Sequence, residues 1–185
     1  AILAGNSLLT LAFGMIADQK FKLDTHIKLN LIKKLSECAG HVGIAGGQFL
    51  DLNYEKKNID FKKIINMQRK KTGKLFEFCC LAPAIVAKKN TKTQKEMSKV
   101  GEEIGLLFQI ADDLLDVKGN KKSTGKSVKK DKKKGKSTLI KLYGYEKTLG
   151  FALDRKKTII NKLKKYGKKS NKLIEVSDFI LNRSF

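Results

Sequence analysis

The sequence predicts an all-α helical bundle, and three observations carry that prediction. Only one proline, Pro83, occurs in 185 residues, so little interrupts a helix. Apolar residues recur with a helical period over long runs, and no alternating strand pattern competes convincingly. Hydrophobic residues make up 41% of the chain, enough for a core and too many for a disordered polymer. The length suits one domain of ordinary size or part of a larger one.

Residues 2–17 (ILAGNSLLTLAFGMIA) predict a buried helix, apolar on nearly every face. Residues 25–47 predict a second. Ile27, Leu31, Leu35, Cys38 and Val42 form its apolar stripe, and Gly40, Gly43, Gly46 and Gly47 lie near its end. Those glycines would let another helix or a ligand approach the backbone closely. Residues 49–59 read as a polar connection. Residues 60–87 predict a long helix, kinked near Gly73 and again before Pro83. The helix over 93–118 is the clearest, because Met97, Val100, Ile104, Leu107, Phe108, Ala111, Leu114 and Leu115 keep the period closely. Residues 119–136 form a loop. Helices over about 145–165 and 170–182 close the chain. No internal repeat at solenoid spacing is present.

Charge is lopsided: 40 basic residues stand against 18 acidic, net +22. Only Arg69, Arg155 and Arg183 are arginines, which leaves 37 lysines. Nucleic-acid readers lean on arginine for bidentate contacts. A lysine-heavy chain also rich in Ile and Asn is more simply the product of an A/T-rich genome, so no nucleic-acid partner is expected. The charge still draws anionic ligands. Cys38, Cys79 and Cys80 form no CxxC pair and read as reduced core residues of a cytoplasmic protein. No apolar run reaches ~18 uninterrupted residues, so no membrane span is expected, and no signal peptide is seen.

The stretch FQIADDLLD, 108–116, sets this basic background in relief. Gln109, Asp112, Asp113 and Asp116 stand at i, i+3, i+4 and i+7, which places them on one helix face. Clustered carboxylates repel, and a cation is what holds them together at neutral pH. Hard oxygen ligands at this spacing suit Mg²⁺, which takes one or two carboxylates, several waters and substrate phosphate oxygens. A solvated acidic face balancing nearby lysines is the plainer alternative.

Two basic segments bear on that choice. The loop KGNKKSTGKSVKKDKKKGK, 118–136, holds ten lysines and follows the acidic stripe directly. It reads either as a solvated basic run or as a phosphate clamp, with Gly119, Gly125 and Gly135 letting it fold over an anion and lysines meeting diphosphate oxygens. In RKKTGKLF, 69–76, Lys71 and Thr72 fall at an expected helix break, where freed backbone groups and a cation can face a site. Acids suited to Mg²⁺ beside phosphate-gripping lysines suggest a diphosphate ligand. The apolar bundle around them suggests that the rest of the ligand is hydrocarbon.

With those residues in view, the chain resembles the trans-isoprenyl diphosphate synthases (farnesyl and geranylgeranyl diphosphate synthase-like). AGNSLLTLAF is similar to that family's AGD-x-LL-x-x-AF helix, GGQFLDL to its GGQxxDL, and KKTGKLF to its KTG segment. FQIADDLLD resembles its second aspartate-rich motif, GKSVKKDKKKGKSTL its GKxxGxDxxxGKST loop, and FILNRSF its closing helix. The motifs keep the family's order across essentially the whole chain.

The resemblance implies an isoprenoid synthase-type bundle around a deep central cavity, with Mg²⁺ as cofactor. It implies head-to-tail prenyl transfer from an allylic diphosphate to isopentenyl diphosphate. Diphosphate is drawn off the allylic substrate with the help of Mg²⁺, the double bond of isopentenyl diphosphate attacks the resulting cation, and a proton is lost. Carried over, Asp112, Asp113 and Asp116 are the metal-binding acids, with Asp112 and Asp116 the direct ligands. Lys71 and Lys126 meet the allylic diphosphate, and Lys136 is a further candidate. Thr72 and Gln109 place oxygens near the developing cation. Gln48, Asp51 and Asp131 support the tail cavity and metal shell. A homodimer is implied in the same way.

Some of the pattern departs from the family. Asn6 stands where Asp is usual, and Lys129 where the loop usually has Gly. The family's first aspartate-rich motif and its isopentenyl diphosphate arginines lie ahead of the AGD helix, at which this chain begins. The expectation is therefore a C-terminal portion, 1–185, of one synthase domain, lacking its N-terminal helices and inactive alone. Two other classes stay in play. One is a non-catalytic member that modulates a partner synthase subunit. The other is a polyanion binder resting on net charge, with steep salt dependence and no need for Mg²⁺.

Overall fold

The computed structural model describes residues 2–118 and 137–182, and among them every regular element is helical. The order is α1 (Ile2–Ala17), α2 (Thr25–Ala39), α3 (Ile44–Tyr54) and α4 (Phe61–Gln68). A π-helical segment (Arg69–Gly73) leads into α5 (Lys74–Val86) and then α6 (Thr91–Lys118). After residue 136 come α7 (Leu139–Tyr143), α8 (Tyr145–Leu163), a 3₁₀ segment (Lys164–Ser170) and α9 (Asn171–Asn182). Among the described residues no helix is long and apolar enough to cross a membrane.

Helix α6 is the axis of the bundle. It packs against α5, α8, α9 and the π-helical segment. Its predicted stripe is buried at Val100, Ile104, Leu107, Ala111 and Leu114, and Leu106 and Ile110 bury the flanks as well. Ile64 of α4, Leu139 of α7, Ile159 of α8 and Ile180 of α9 complete that core. A second cluster joins Ile27 and Leu31 of α2 to Leu81 and Ile85 of α5. Caps set two starts: Asp60 accepts from the Lys63 amide at 2.9 Å ahead of α4, and Asn90 from the Thr93 amide at 2.9 Å ahead of α6.

Several expectations change. Residues 25–47 are not one helix. The chain turns between Ala39 and Ile44 so tightly that a Cβ on Gly43 would lie 1.9 Å from the Cys38 carbonyl oxygen. Val42 consequently leaves the stripe and is 48% exposed. The expected connection from 49 is helical as far as Tyr54. The helix over 60–87 is two, parted near Gly73 as expected but by a π-helical segment, while α5 runs through Pro83 without a break. Leu81, Ala84 and Ile85 are buried on either side of that proline, so packing outweighs its missing donor.

Helix α1 is not buried. None of its residues is, and Ile2, Leu3, Leu8, Leu11 and Met15 are exposed. The cysteines are free, but only Cys38 is a core residue; Cys80 is half-buried and Cys79 exposed. Burial pushes the Cys38 and Cys80 thiols up to about 11.

Candidate active site

The π-helical segment positions the first two candidate residues. A π turn widens the helix and forgoes the ordinary i→i−4 bonds, so Lys71 and Thr72 are presented off the regular helix surface. Gly47 of α3 makes room for it: a Cβ there would stand 2.1 Å from the Lys71 backbone nitrogen. The predicted use of that glycine, close approach of another helix, is what the structure shows.

Lys71 Nζ is ion-paired with Oδ2 of Asp51, a buried carboxylate on α3. Thr72 Oγ1 donates to Gln109 Oε1 at 2.9 Å. Gln109 Nε2 in turn donates to Asp113 Oδ1 at 2.9 Å, and Gln68 Nε2 donates to Asp113 Oδ2 at 2.9 Å. A chain of hydrogen bonds thus runs from the π-helical segment into the acidic face of α6. An ionised carboxylate only accepts, so Gln68 and Gln109 turn their N–H groups toward Asp113, which leaves the Gln109 carbonyl oxygen to accept from the Thr72 hydroxyl.

Asp51, Lys71, Gln109 and Asp113 share a cavity of ≈ 10 Å³ with Met67, Gln68, Ser137 and Thr138. That is room for about one water molecule. Gln68 Oε1 is buried there and meets no hydrogen-bond partner among the described residues. Ser137 Oγ lies 2.9 Å from the Tyr54 carbonyl and 3.0 Å from that of Lys57, which ties the chain after residue 136 to the end of α3 beside this cavity.

The three acids of DDLLD divide by environment. Asp113 is buried and bracketed by the two glutamine amides. Asp112 and Asp116, four residues apart on one helix face, are half-buried. Among the described residues no three His, Cys, Asp or Glu side chains gather into a metal centre. Two hard carboxylates on one helix face nonetheless fit Mg²⁺, which draws its remaining ligands from water and phosphate. Gln48 is exposed on α3, one residue from Gly47. Lys126, Asp131 and Lys136 lie outside the described residues.

Sequence reasoning missed Gln68. Its signal was present: a glutamine stands on the buried face of α4 beside Ile64 and Met67, and a buried amide needs partners.

Comparison with known proteins decides the family. Residues 1–178 match the family model for polyprenyl synthetase. This chain belongs to the polyprenyl synthetase family. A dimethylallyltranstransferase of Fischerella ambigua is 35% identical over 100% of this chain and 54% of its own length. A farnesyl diphosphate synthase of Micrococcus luteus is 38% identical over 79% of this chain and 50% of its own length. The chain therefore spans about half the length of these curated relatives. A geranyltransferase of Helicobacter pylori, crystallised with magnesium and isoprenyl diphosphate, superposes with a TM-score of 0.82 at 27% identity, covering 98% of this chain and 59% of that one. The all-α bundle of isoprenyl diphosphate synthases is the fold of this chain.

Proposed function

We propose that this polyprenyl synthetase chain takes part in head-to-tail condensation of an allylic diphosphate with isopentenyl diphosphate. The observation that carries the reading is the hydrogen-bond chain from Thr72 through Gln109 to Asp113. It joins the phosphate-gripping segment to the acidic face within one site.

Asp112 and Asp116 would hold Mg²⁺, and that ion, when bound, would neutralise the departing diphosphate. Lys71 meets the diphosphate as a point charge, exchanging its Asp51 partner for phosphate oxygens. Lys126 and Lys136 join it on the strength of the resemblance. Cleavage of the allylic carbon–oxygen bond leaves the electron pair on the diphosphate. The double bond of isopentenyl diphosphate supplies the pair for the new carbon–carbon bond, and a proton leaves the adjacent carbon. Thr72 and Gln109 aim oxygens toward the positive charge that develops. Asp113 keeps Gln109 in the orientation this requires, and Gln68 keeps Asp113 in place. Asp51, Asp131 and Gln48 support this arrangement.

A complete site of this family has acids on two walls. The 185 residues carry one aspartate-rich motif, and alone they are expected to bind diphosphate without turning it over. Assembly as a homodimer in the cytoplasm belongs to the same proposal, supported by the apolar side chains that α1 exposes.

The test is Mg²⁺-dependent prenyl transfer with dimethylallyl or geranyl diphosphate and labelled isopentenyl diphosphate, run on this chain and on the complete reading frame that encodes it. Elongation by the complete protein that disappears in Asp112→Ala supports the reading. A folded complete protein without turnover would overturn it and favour a subunit that modulates a partner synthase.

A further inference from the structure

Consecutive glutamates of α6 grip the π-helical segment at both ends. Glu103, 8% exposed, accepts from Arg69 Nη2 at 2.8 Å, and Arg69 is the first residue of the segment. Glu102 accepts from Lys74 Nζ at 3.0 Å, and Lys74 is the first residue beyond it. Arg155 of α8 reaches the other oxygen of Glu103 at 3.4 Å while its guanidinium lies 4.9 Å from the Phe151 ring centroid. Burial pulls the Lys74 pKa down, but hydrogen bonds to Glu77 and Glu102 outweigh it and raise it overall.

Between these grips the backbones touch. A Cβ on Gly105 of α6 would come within 2.6 Å of Gly73 Cα, at the end of the segment. Gly47 of α3 closes on Lys71 from the other side. A π turn lacks the ordinary helical ladder, so outside contacts hold its shape. Apolar contact alone allows sliding, whereas a half-buried ion pair such as Arg69–Glu103 has direction. Breaking one partner of it leaves an uncompensated charge.

We propose that Glu102 and Glu103 are positioning residues. Through Lys74 and Arg69 they hold the π-helical segment in register with α6, and so set the separation of Lys71 and Thr72 from Gln109 and the aspartates. This deepens the diphosphate reading of the site and rests on it.

Two readouts on the 185-residue chain test it: amide hydrogen exchange by segment, and Mg²⁺-dependent binding of inorganic pyrophosphate. Glu103→Gln should speed exchange over 68–74 on the order of tenfold and weaken pyrophosphate binding by a similar factor. Glu102→Gln should do less of both, because Lys74 keeps Glu77. Exchange in α2, which packs against α5, α1 and α3, should stay at the wild-type rate. Adding Arg69→Gln to Glu103→Gln should change little further, since the pair acts as a unit. Glu96→Gln, also on α6 but bonded to Lys165 and Tyr166, should alter neither readout.

Wild-type exchange over 68–74 in Glu103→Gln overturns the proposal. So does a rise spread evenly over every helix, which marks a merely structural ion pair. Should Glu103→Gln fail to fold, Arg69→Gln and Lys74→Gln carry the same test. Loss of pyrophosphate binding in wild-type protein is a separate result and sinks the diphosphate reading itself.

Discussion

Helices α1 and α6 invert what their sequences suggest. Residues 2–17 are the more apolar run, yet none of them is buried. Helix α6 carries six carboxylates, Glu96, Glu102, Glu103 and the three of DDLLD, yet it is buried on most sides from Val100 to Leu114. Hydrophobicity states what a segment would gain by burial, roughly 25 cal/mol per Å² of apolar surface. It does not state which neighbours are there to bury it. Helix α6 has packed partners on most sides, and the charges of Glu102 and Glu103 are taken up by Arg69, Lys74 and Arg155. Helix α1 makes its main contact with α2.

The largest effects should separate these helices by size. Leu107→Ala removes a side chain with no exposure and should cost about 2–5 kcal/mol in urea denaturation. Leu11→Ala on α1, measured at a concentration where the chain is monomeric, should stay within about 0.5 kcal/mol. Equal costs would break the comparison.

The next effect differs in sign. Gly105→Ala forces a methyl against the Gly73 backbone and should destabilise by about 1–3 kcal/mol. Gly5→Ala meets nothing within 4 Å and should stabilise by about 0.5–1 kcal/mol, because alanine is the better helix former. Thermal melting of the two variants decides it, and a shift in the same direction for both would contradict the contrast.

A smaller effect lies in the thiols of α2 and α5. Cys79 should react first with a disulfide reagent near pH 8, because Cys38 and Cys80 are held up to about 11 by burial. Burial favours their neutral forms in the folded state. Their contribution is therefore whole below the ordinary thiol value and is lost as pH climbs through about 11. Denaturant midpoints that rise over that alkaline window would refute the assignment of these thiols to the interior.

The same contrast marks what sequence could and could not reveal. The helical period of α6 was legible because its neighbours cover the stripe that the period predicts. The apolar stripe of α2 was legible to Cys38 and failed at Val42, three residues beyond the helix end at Ala39. Thr72, Gln109 and Asp113 could be named as candidates, and the structure links them. Gln68 left a signal as an amide on a buried face, but its partner Asp113, 45 residues away, could not be read from that signal. Nor could the pairing of Glu103 with Arg69 and Arg155, a contact that exists only once three helices have packed.

On this reading the acids of α6 and Lys71 of the π-helical segment form one diphosphate site rather than a generally basic surface. Calorimetric titration of inorganic pyrophosphate into the chain, with Mg²⁺ and then with EDTA, tests it most directly. EDTA should abolish the binding, and Asp112→Ala and Lys71→Ala should each weaken it at least tenfold, the order expected for losing a charge-assisted contact. Binding that survives EDTA and both variants, and falls only with added salt, would rule out the shared site and assign the affinity to net charge.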